Sequence, residues 1–357
     1  MAVERSGRDD RLDILCDLGR SRLILGLAED GTLMSELQEW PTERFANQAR
    51  PLAAAVREFA TSEGIAIEGR KLILSAPIYI NSDAIKPQGM PGDWTFDRAA
   101  LRAELGLSGL DVMNDMVALG HAVPIISEQG AYKLIGKGRP KIGFPVVAIG
   151  VRSGLGAVGF VKARENPRWI PVQTESGHIG ITPATPDEHT IMHFVREERG
   201  DLPLTITGQD LLSGMGAPSL IRAVARLEFE GGHNPDPVRA EAAARELTSA
   251  NLSEYAVGDG DAAHVARQAI AHWCAFFGSF ARNMALAFGA MGGLFVTGKV
   301  AADFLADGKK ENHGIFRKNF EIGGTDDHYL RDIPTMLITH GYPYLAGLAR
   351  FSGVDRN

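Results

Sequence analysis

The chain has 357 residues, 45% apolar, 23% charged and 7% aromatic, with 41 glycines and a formal charge of −7. At roughly 150 residues per domain that length implies about two domains, whose cores need no staples. The composition excludes a disordered, collagen-like or coiled-coil chain, and a mildly acidic sequence without a long basic run argues against non-specific nucleic-acid binding. The first twenty residues carry charges throughout and lack the apolar stretch of an export signal. Short apolar runs at 12–17, 23–28 and 32–39, the last after the Asp30-Gly31 turn, predict three strands in meander order. Helical spacing over 45–60 (Ala46, Leu52, Ala55, Val56, Phe59) stops near Gly64. A strand at 71–75, a helix at 96–105 and a strand at 110–114 follow. That order predicts an α/β layer on a mixed sheet.

The second half starts in the same way. Strands at 145–150 and 156–163 flank the loop Val151-Arg152-Ser153-Gly154-Leu155, and helices are expected over 187–198, 209–229, 237–248 and 261–290. A strand at 293–297 backs the last of these. The apolar zone 270–296 is interrupted by His272, Arg282 and Asn283, so it reads as a buried helix running into a strand and not as a membrane span. Leu345, Leu348 and Ala349 suit a helix over 344–351 that returns to the first sheet. The expected division is a small α/β domain, 10–117 plus 343–357, and a large one, 118–342, with a cleft between two copies of a duplicated unit. Cys16 and Cys274 sit in apolar stretches and read as reduced core thiols, which points to the cytoplasm.

Three motifs fail on their own chemistry. Gly293-Leu-Phe-Val-Thr-Gly298-Lys299-Val300 nearly matches a P-loop, but Val300 has no hydroxyl for Mg²⁺ and the intervening residues read as a strand. His189 and His193 are spaced like a zinc pair, yet Thr190 stands where the general base belongs. Asp326-Asp327-His328 reads as solvated surface. A fourth set is more informative. Asp17-Leu18-Gly19, Asn114-Asp115, Gly150 to Gly156, Glu175 to His178 and Thr297-Gly298 all place polar or glycine residues at strand ends. That is where ligands bind in α/β folds.

In that ordered set, with Ser75-Ala76-Pro77-Ile78, Trp94-Thr95-Phe96, Leu212-Ser213-Gly214 and Gly292-Gly-Leu-Phe-Val, the chain resembles the bacterial glucokinases from about Asp13 to Ser352. The resemblance implies the two-domain actin-like ATPase (ribonuclease H-like) fold of sugar kinases and heat-shock ATPases. It implies phosphoryl transfer from ATP, with Mg²⁺, to the 6-hydroxyl of a hexose, and commonly a homodimer. Carried over by position, Asp115 resembles the general base. Asn114, Glu175, His178 and Gln209 correspond to sugar ligands expected to converge on one cleft. Asp17, Gly19, Ser153, Gly154 and Gly298 correspond to nucleotide-binding positions, with Asp17 on the metal. No nucleic-acid or membrane partner is implied.

The departures from the family pattern are concentrated. Its first phosphate loop, D-x-G-G-T-N-x-R, is here Asp17-Leu-Gly19-Arg20-Ser21-Arg22, two residues shorter. Its G-x-G-T-G-L-G becomes Gly150-Val-Arg152-Ser153-Gly154-Leu-Gly156, and the glycine pair of its adenosine loop becomes Gly298-Lys299. Glycines allow backbone N–H groups to cradle phosphates, and each altered loop has instead gained a cation. On the sugar side Gln209 replaces an acid, and Met90-Pro91-Gly92 replaces T-N-H. Two readings follow. The first is a working hexose kinase that uses cations in place of backbone donors, with ATP, polyphosphate or pyrophosphate as the donor. The second is a catalytically impaired paralogue that binds a sugar or an anion in a regulatory role. Arg20, Arg152 and Lys299, with Arg22, then either hold phosphate or sulfate or point to solvent.

Overall fold

The computed structural model describes residues 12–78, 84–162, 169–200, 205–230, 235–306, 308–322 and 327–355. Its internal contacts group the chain into two units, 1–131 with 340–357, and 132–339. In the first, β1 (Leu12–Leu18), β2 (Arg22–Glu29) and β3 (Thr32–Pro41) form the antiparallel meander. Asp30 and Gly31 both have positive φ, 47° and 81°, as a two-residue turn matched to strand twist requires. The helix expected over 45–60 starts later: 42–45 is a lone 3₁₀ turn, and α1 is Pro51–Glu63. Pro51 presets the first helical φ but pushes Arg50 out of the helical region, to φ −140° and ψ 77°, so the two pieces cannot join.

Next come β4 (Lys71–Ala76), β5 (Ala84–Ile85), β6 (Phe96–Asp97), α2 (Arg98–Leu105), β7 (Gly109–Asn114) and α3 (Asp115–Gln129). Asp97 caps α2 by accepting from the Ala100 amide. The sheet order is β3-β2-β1-β4-β7, with β1, β4 and β7 parallel. Strand alternation sorts its two faces. Ile14, Cys16, Leu18, Leu72 and Leu74 pack under α1 with Phe59 and Val56, whereas Leu15, Ile73 and Met113 face Ala118 of α3 and Leu345 and Leu348 of the C-terminal helix, Pro343–Asp355. α3 and the C-terminal helix touch backbone to backbone: a Cβ on Gly347 would lie 1.8 Å from the Ala118 carbonyl oxygen. This contact keeps α3 in the first unit, so the units divide at 131/132 and 339/340, not at 117/118 and 342/343. Ser352 also donates to buried Asp13.

The second unit holds β8 (Tyr132–Ile135), β9 (Val146–Val151), β10 (Leu155–Lys162) and β11 (Trp169–Gln173), then α4 (Pro186–Arg199), α5 (Gly208–Leu212), α6 (Ala217–Glu230), α7 (Pro237–Ala244), α8 (Leu252–Tyr255) and α9 (Asp261–Phe288). β12 (Gly293–Thr297), α10 (Lys299–Phe304), α11 (Lys310–Glu321), α12 (Asp327–Arg331) and β13 (Thr335–Ile338) complete it. The sheet order β11-β10-β9-β12-β13-β8 repeats the first sheet's plan, an antiparallel meander and then the parallel strands β12 and β13 beside its first member, with β8 added antiparallel at the edge. The helix expected over 209–229 is two helices. Gly216 passes so close to Asp210 that a Cβ would fall 2.4 Å from its carbonyl carbon, a turn no continuous helix makes. α9 supplies the core, with Trp273, Phe276, Phe277 and Phe280 packed against Val147, Ile149 and Val296, each large side chain worth about 1.5–3 kcal/mol buried. Both cysteines are buried and free, and burial pushes both thiols up, so they stay protonated. Among the described residues no helix is long and apolar enough to cross a membrane.

Candidate active site

In the first unit the carboxyl ends of β1, β4 and β7 are level, since Asp17 pairs with Ser75 and Ala76 with Asn114 in the strand register. Asp17 is 1% exposed and accepts from Ser75 Oγ at 2.9 Å. The β1–β2 turn closes on itself, the Gly19 amide donating to the Arg22 carbonyl at 2.9 Å. Buried Thr42 holds it from outside: its Oγ donates to the Gly19 carbonyl (2.8 Å) and its N–H to the Ser21 carbonyl (3.2 Å). A peptide's C=O and N–H point opposite ways, so tying the Gly19 carbonyl to Thr42 turns the Arg20 N–H to the other side. Arg22 pairs with Glu39 at 2.8 Å, and the Arg20 guanidinium lies beside Gly89.

Asn114 caps α3. Its Oδ1 accepts from the Met116 amide at 2.9 Å and its Nδ2 donates to the Ile78 carbonyl at 3.0 Å. One N–H and one lone pair of that amide remain for a ligand. Asp115, half-buried, is the first helical residue, and its Oδ1 shares the Met116 amide at 2.9 Å. Asn114, in the capping position, and Asp115 thus share the Met116 amide. Ile78 is bound in from a second direction, because the Gln88 amide donates to the carbonyl of Pro77. Trp94 Nε1 donates to the Pro91 carbonyl at 2.9 Å, which fixes the loop where the sequence departs from the sugar-kinase pattern.

In the second unit the loop 152–154 is a hub. The amides of Gly214 and Met215 donate to the carbonyls of Arg152 (2.9 Å) and Ser153 (3.1 Å). A Cβ on Gly177 would lie 2.0 Å from the Leu155 carbonyl oxygen, one on Gly154 3.3 Å from Gln209 Oε1, and one on Gly298 1.8 Å from the Val151 oxygen. The segments carrying Glu175, His178, Gln209, Ser213 and Gly298 are thus brought together around one turn. Glu175 and His178 are exposed at the two ends of a 3₁₀ turn, with the His178 amide on the Glu175 carbonyl at 3.0 Å. Desolvation by its surroundings raises the Glu175 pKa, and the His178 charge works against it. Between them Ser176 Oγ is buried without a hydrogen-bond partner among the described residues. Lys299 folds back along α10 onto Asp303 at 2.6 Å.

A family model for glucokinase matches residues 14–353. The chain belongs to the glucokinase family. It is 31% identical over 344 residues to a glucokinase of Nitrobacter hamburgensis, covering 95% of this chain and 96% of that one. Among solved structures it resembles the Balamuthia mandrillaris glucokinase in complex with glucose (TM-score 0.76, 16% identity, 96% and 94% covered). It also resembles a ROK-family glucokinase of Streptomyces griseus in complex with glucose and AMPPNP (TM-score 0.58, 18% identity, 95% and 98% covered). These likenesses show the actin-like ATPase fold.

Within that family the departures now have a structural form. The shortened first turn uses its own Gly19 amide internally, and of the cations on these loops Arg22 pairs with Glu39 and Lys299 with Asp303. A magnesium ion in kinases is held by one or two carboxylates together with the nucleotide phosphates. Asp17, a buried carboxylate at a strand end that accepts from the Ser75 hydroxyl, fits that donor set. The motifs set aside take ordinary forms. His193 pairs with Glu197 on the exposed face of α4, residues 293–297 are strand followed by a left-handed Gly298, and of the acidic triplet Asp326 lies outside the described residues. Sequence reasoning missed Thr42, for which no local signal exists. It also missed Thr207 and Asp210, whose T-x-x-D spacing ahead of two leucines is a capping-box pattern.

Proposed function

We propose that this chain is an ATP-dependent hexose kinase of the glucokinase type. Asp115 takes the proton from the sugar 6-hydroxyl, the freed oxygen bonds to the γ-phosphorus, and the bond from that phosphorus to the ADP oxygen breaks. Asn114, Glu175, His178 and Gln209 bind ring hydroxyls. Asp17 would hold Mg²⁺, which neutralises charge on the phosphates, and Gly19, Ser153, Gly154 and Gly298 line the nucleotide's path. Family membership over nearly the whole chain and the glucose and AMPPNP carried by its solved relatives support this reading. The observation that carries it is the placement of Asn114 and Asp115 at the junction of β7 and α3, level with Asp17 and Ser75 at the carboxyl ends of β1 and β4.

A coupled assay for hexose 6-phosphate, run beside glucose calorimetry, tests it. Asp115→Asn should lower kcat by about 10²–10⁴-fold while glucose affinity stays within about twofold. Retained turnover in that variant refutes the assignment of the base. The self-closed β1–β2 turn favours a second reading, a paralogue that binds a sugar or an anion such as phosphate or sulfate near Arg20, Arg152 and Lys299 without turnover. Glucose binding by the wild type with no phosphoryl transfer from ATP selects it.

A further inference from the structure

Asp210 receives more hydrogen bonds than a helix cap requires. Its Oδ2 accepts from the Thr207 amide at 2.8 Å and from Thr207 Oγ at 2.7 Å. Its Oδ1 meets Arg199 Nη2, at the end of α4, at 2.6 Å, with side chains only 19% and 25% exposed. Burial pushes the Asp210 carboxyl up, but Arg199 and Thr207 outweigh it and hold it below the ordinary carboxylate range. The ring of contacts continues outward. The amide of Gly208 donates to the Ile179 carbonyl at 3.0 Å, and Gly180 and Thr207 form a β-bridge. One carboxylate therefore fixes Thr207-Gly208, and that short backbone carries Gln209 on one side and the residues following His178 on the other. At the far end of α5, Trp273 Nε1 donates to the Leu212 carbonyl, so the five-residue helix is pinned at both ends.

We propose that the Arg199–Asp210 ion pair is a positioning clamp for the hexose-binding side chains Gln209 and His178. Neither clamp residue touches the sugar. Both act by holding the Thr207-Gly208 backbone at the spot where the family's acid has become a neutral amide, whose hydrogen bonds to a hydroxyl lack charge assistance and so depend more on placement. An ion pair this sheltered is screened less than a surface pair, and the fork of arginine suits a carboxylate better than lysine does.

The clamp rests on the reading of Gln209 and His178 as hexose ligands, so the test separates the two. Glucose and ADP–Mg²⁺ are titrated calorimetrically into the wild type, Gln209→Ala, Arg199→Gln, Arg199→Lys and Asp210→Glu, with thermal unfolding recorded for each. Gln209→Ala and Arg199→Gln should each weaken glucose binding by roughly tenfold, the worth of one well-placed hydrogen bond. ADP–Mg²⁺ binding should stay within about twofold, because a positioning loss at the sugar subsite does not reach the nucleotide. Arg199→Lys should be intermediate. Asp210→Glu, which keeps the charge and the commoner capping-box acid, should recover most of the affinity. Unchanged glucose affinity in Gln209→Ala overturns the ligand reading and the clamp with it. Weakened binding in Gln209→Ala beside wild-type binding in Arg199→Gln overturns the clamp alone. Equal losses for glucose and ADP–Mg²⁺ in Arg199→Gln, with a lowered Tm, show a general structural role and also overturn it.

Discussion

Each unit contains a strand, a tight turn and an antiparallel return strand, β1–β2 in the first and β9–β10 in the second, and the two turns are held in different ways. The first is self-contained: Gly19 bonds to Arg22 across it, one threonine braces it, and its tip carries the bulky Arg20. The second also closes on itself, the Arg152 amide donating to the Gly154 carbonyl at 2.8 Å, but neighbours hold it far more closely, through Gly214 and Met215 at its carbonyls and through the close backbones of Gly177 and Gly298. Where backbone meets backbone there is no room for a side chain, so glycine persists. At the tips of both turns, arginines, Arg20 and Arg152, have entered.

That contrast can be broken most sharply at Gly298. With φ at 115° and the Val151 oxygen 1.8 Å from where a Cβ would sit, Gly298→Ala adds backbone strain and a clash, together about 4 kcal/mol. Urea unfolding should show the second unit's transition moving to lower denaturant by that amount; an unchanged midpoint would mean that the neighbours do not hold the turn. Thr42→Val is the matching test of the first turn. It keeps the shape and leaves the Gly19 carbonyl without its donor, costing about 1–3 kcal/mol, and ADP–Mg²⁺ affinity should fall while glucose affinity does not. Loss of glucose binding alone would contradict the role given to that turn.

The smallest expected effect is electrostatic. Desolvation raises the Glu175 pKa, so its charged form is disfavoured in the folded protein. Such a carboxyl contributes stability only while it is protonated, and that contribution is lost as pH rises through its raised pKa. Glu175→Gln should therefore have a slightly higher Tm than the wild type at neutral pH. The difference should vanish as pH falls below the ordinary glutamate range, because both side chains are then neutral. A variant less stable than the wild type at neutral pH would mean that His178 attraction outweighs desolvation.

Much of this was legible in the sequence where the signal is local. The Asp30-Gly31 turn, the alternation of β1 and β4 and the long apolar α9 follow from period and turn chemistry. The short strands β8, β11 and β13 were not read, since four or five residues of mixed polarity become strand only through partners distant in sequence. The same distinction runs through the site. Asn114 and Asp115 stand out as a pair, whereas the i,i+4 pairing of Lys299 with Asp303 depends on α10, a helix not expected there. The grip of Thr42 on Gly19 spans 23 positions and has no local mark. The junction of Gly214 with Arg152 is likewise a product of folding, where sequence offers only two glycine-bearing strings.

The C-terminal helix has a further consequence for how the chain is made. It covers Leu15, Ile73 and Met113 and presses Gly347 onto Ala118, yet residues 132–339 are all synthesised between that sheet and its cover. On the ribosome the second unit, contiguous in the chain, has every partner it needs before the first does. Part of the first sheet's apolar face must wait uncovered through the whole of that interval, a state open to aggregation and to capture by holdase chaperones. Vectorial synthesis thus reverses the order of the units: the one that begins first finishes last.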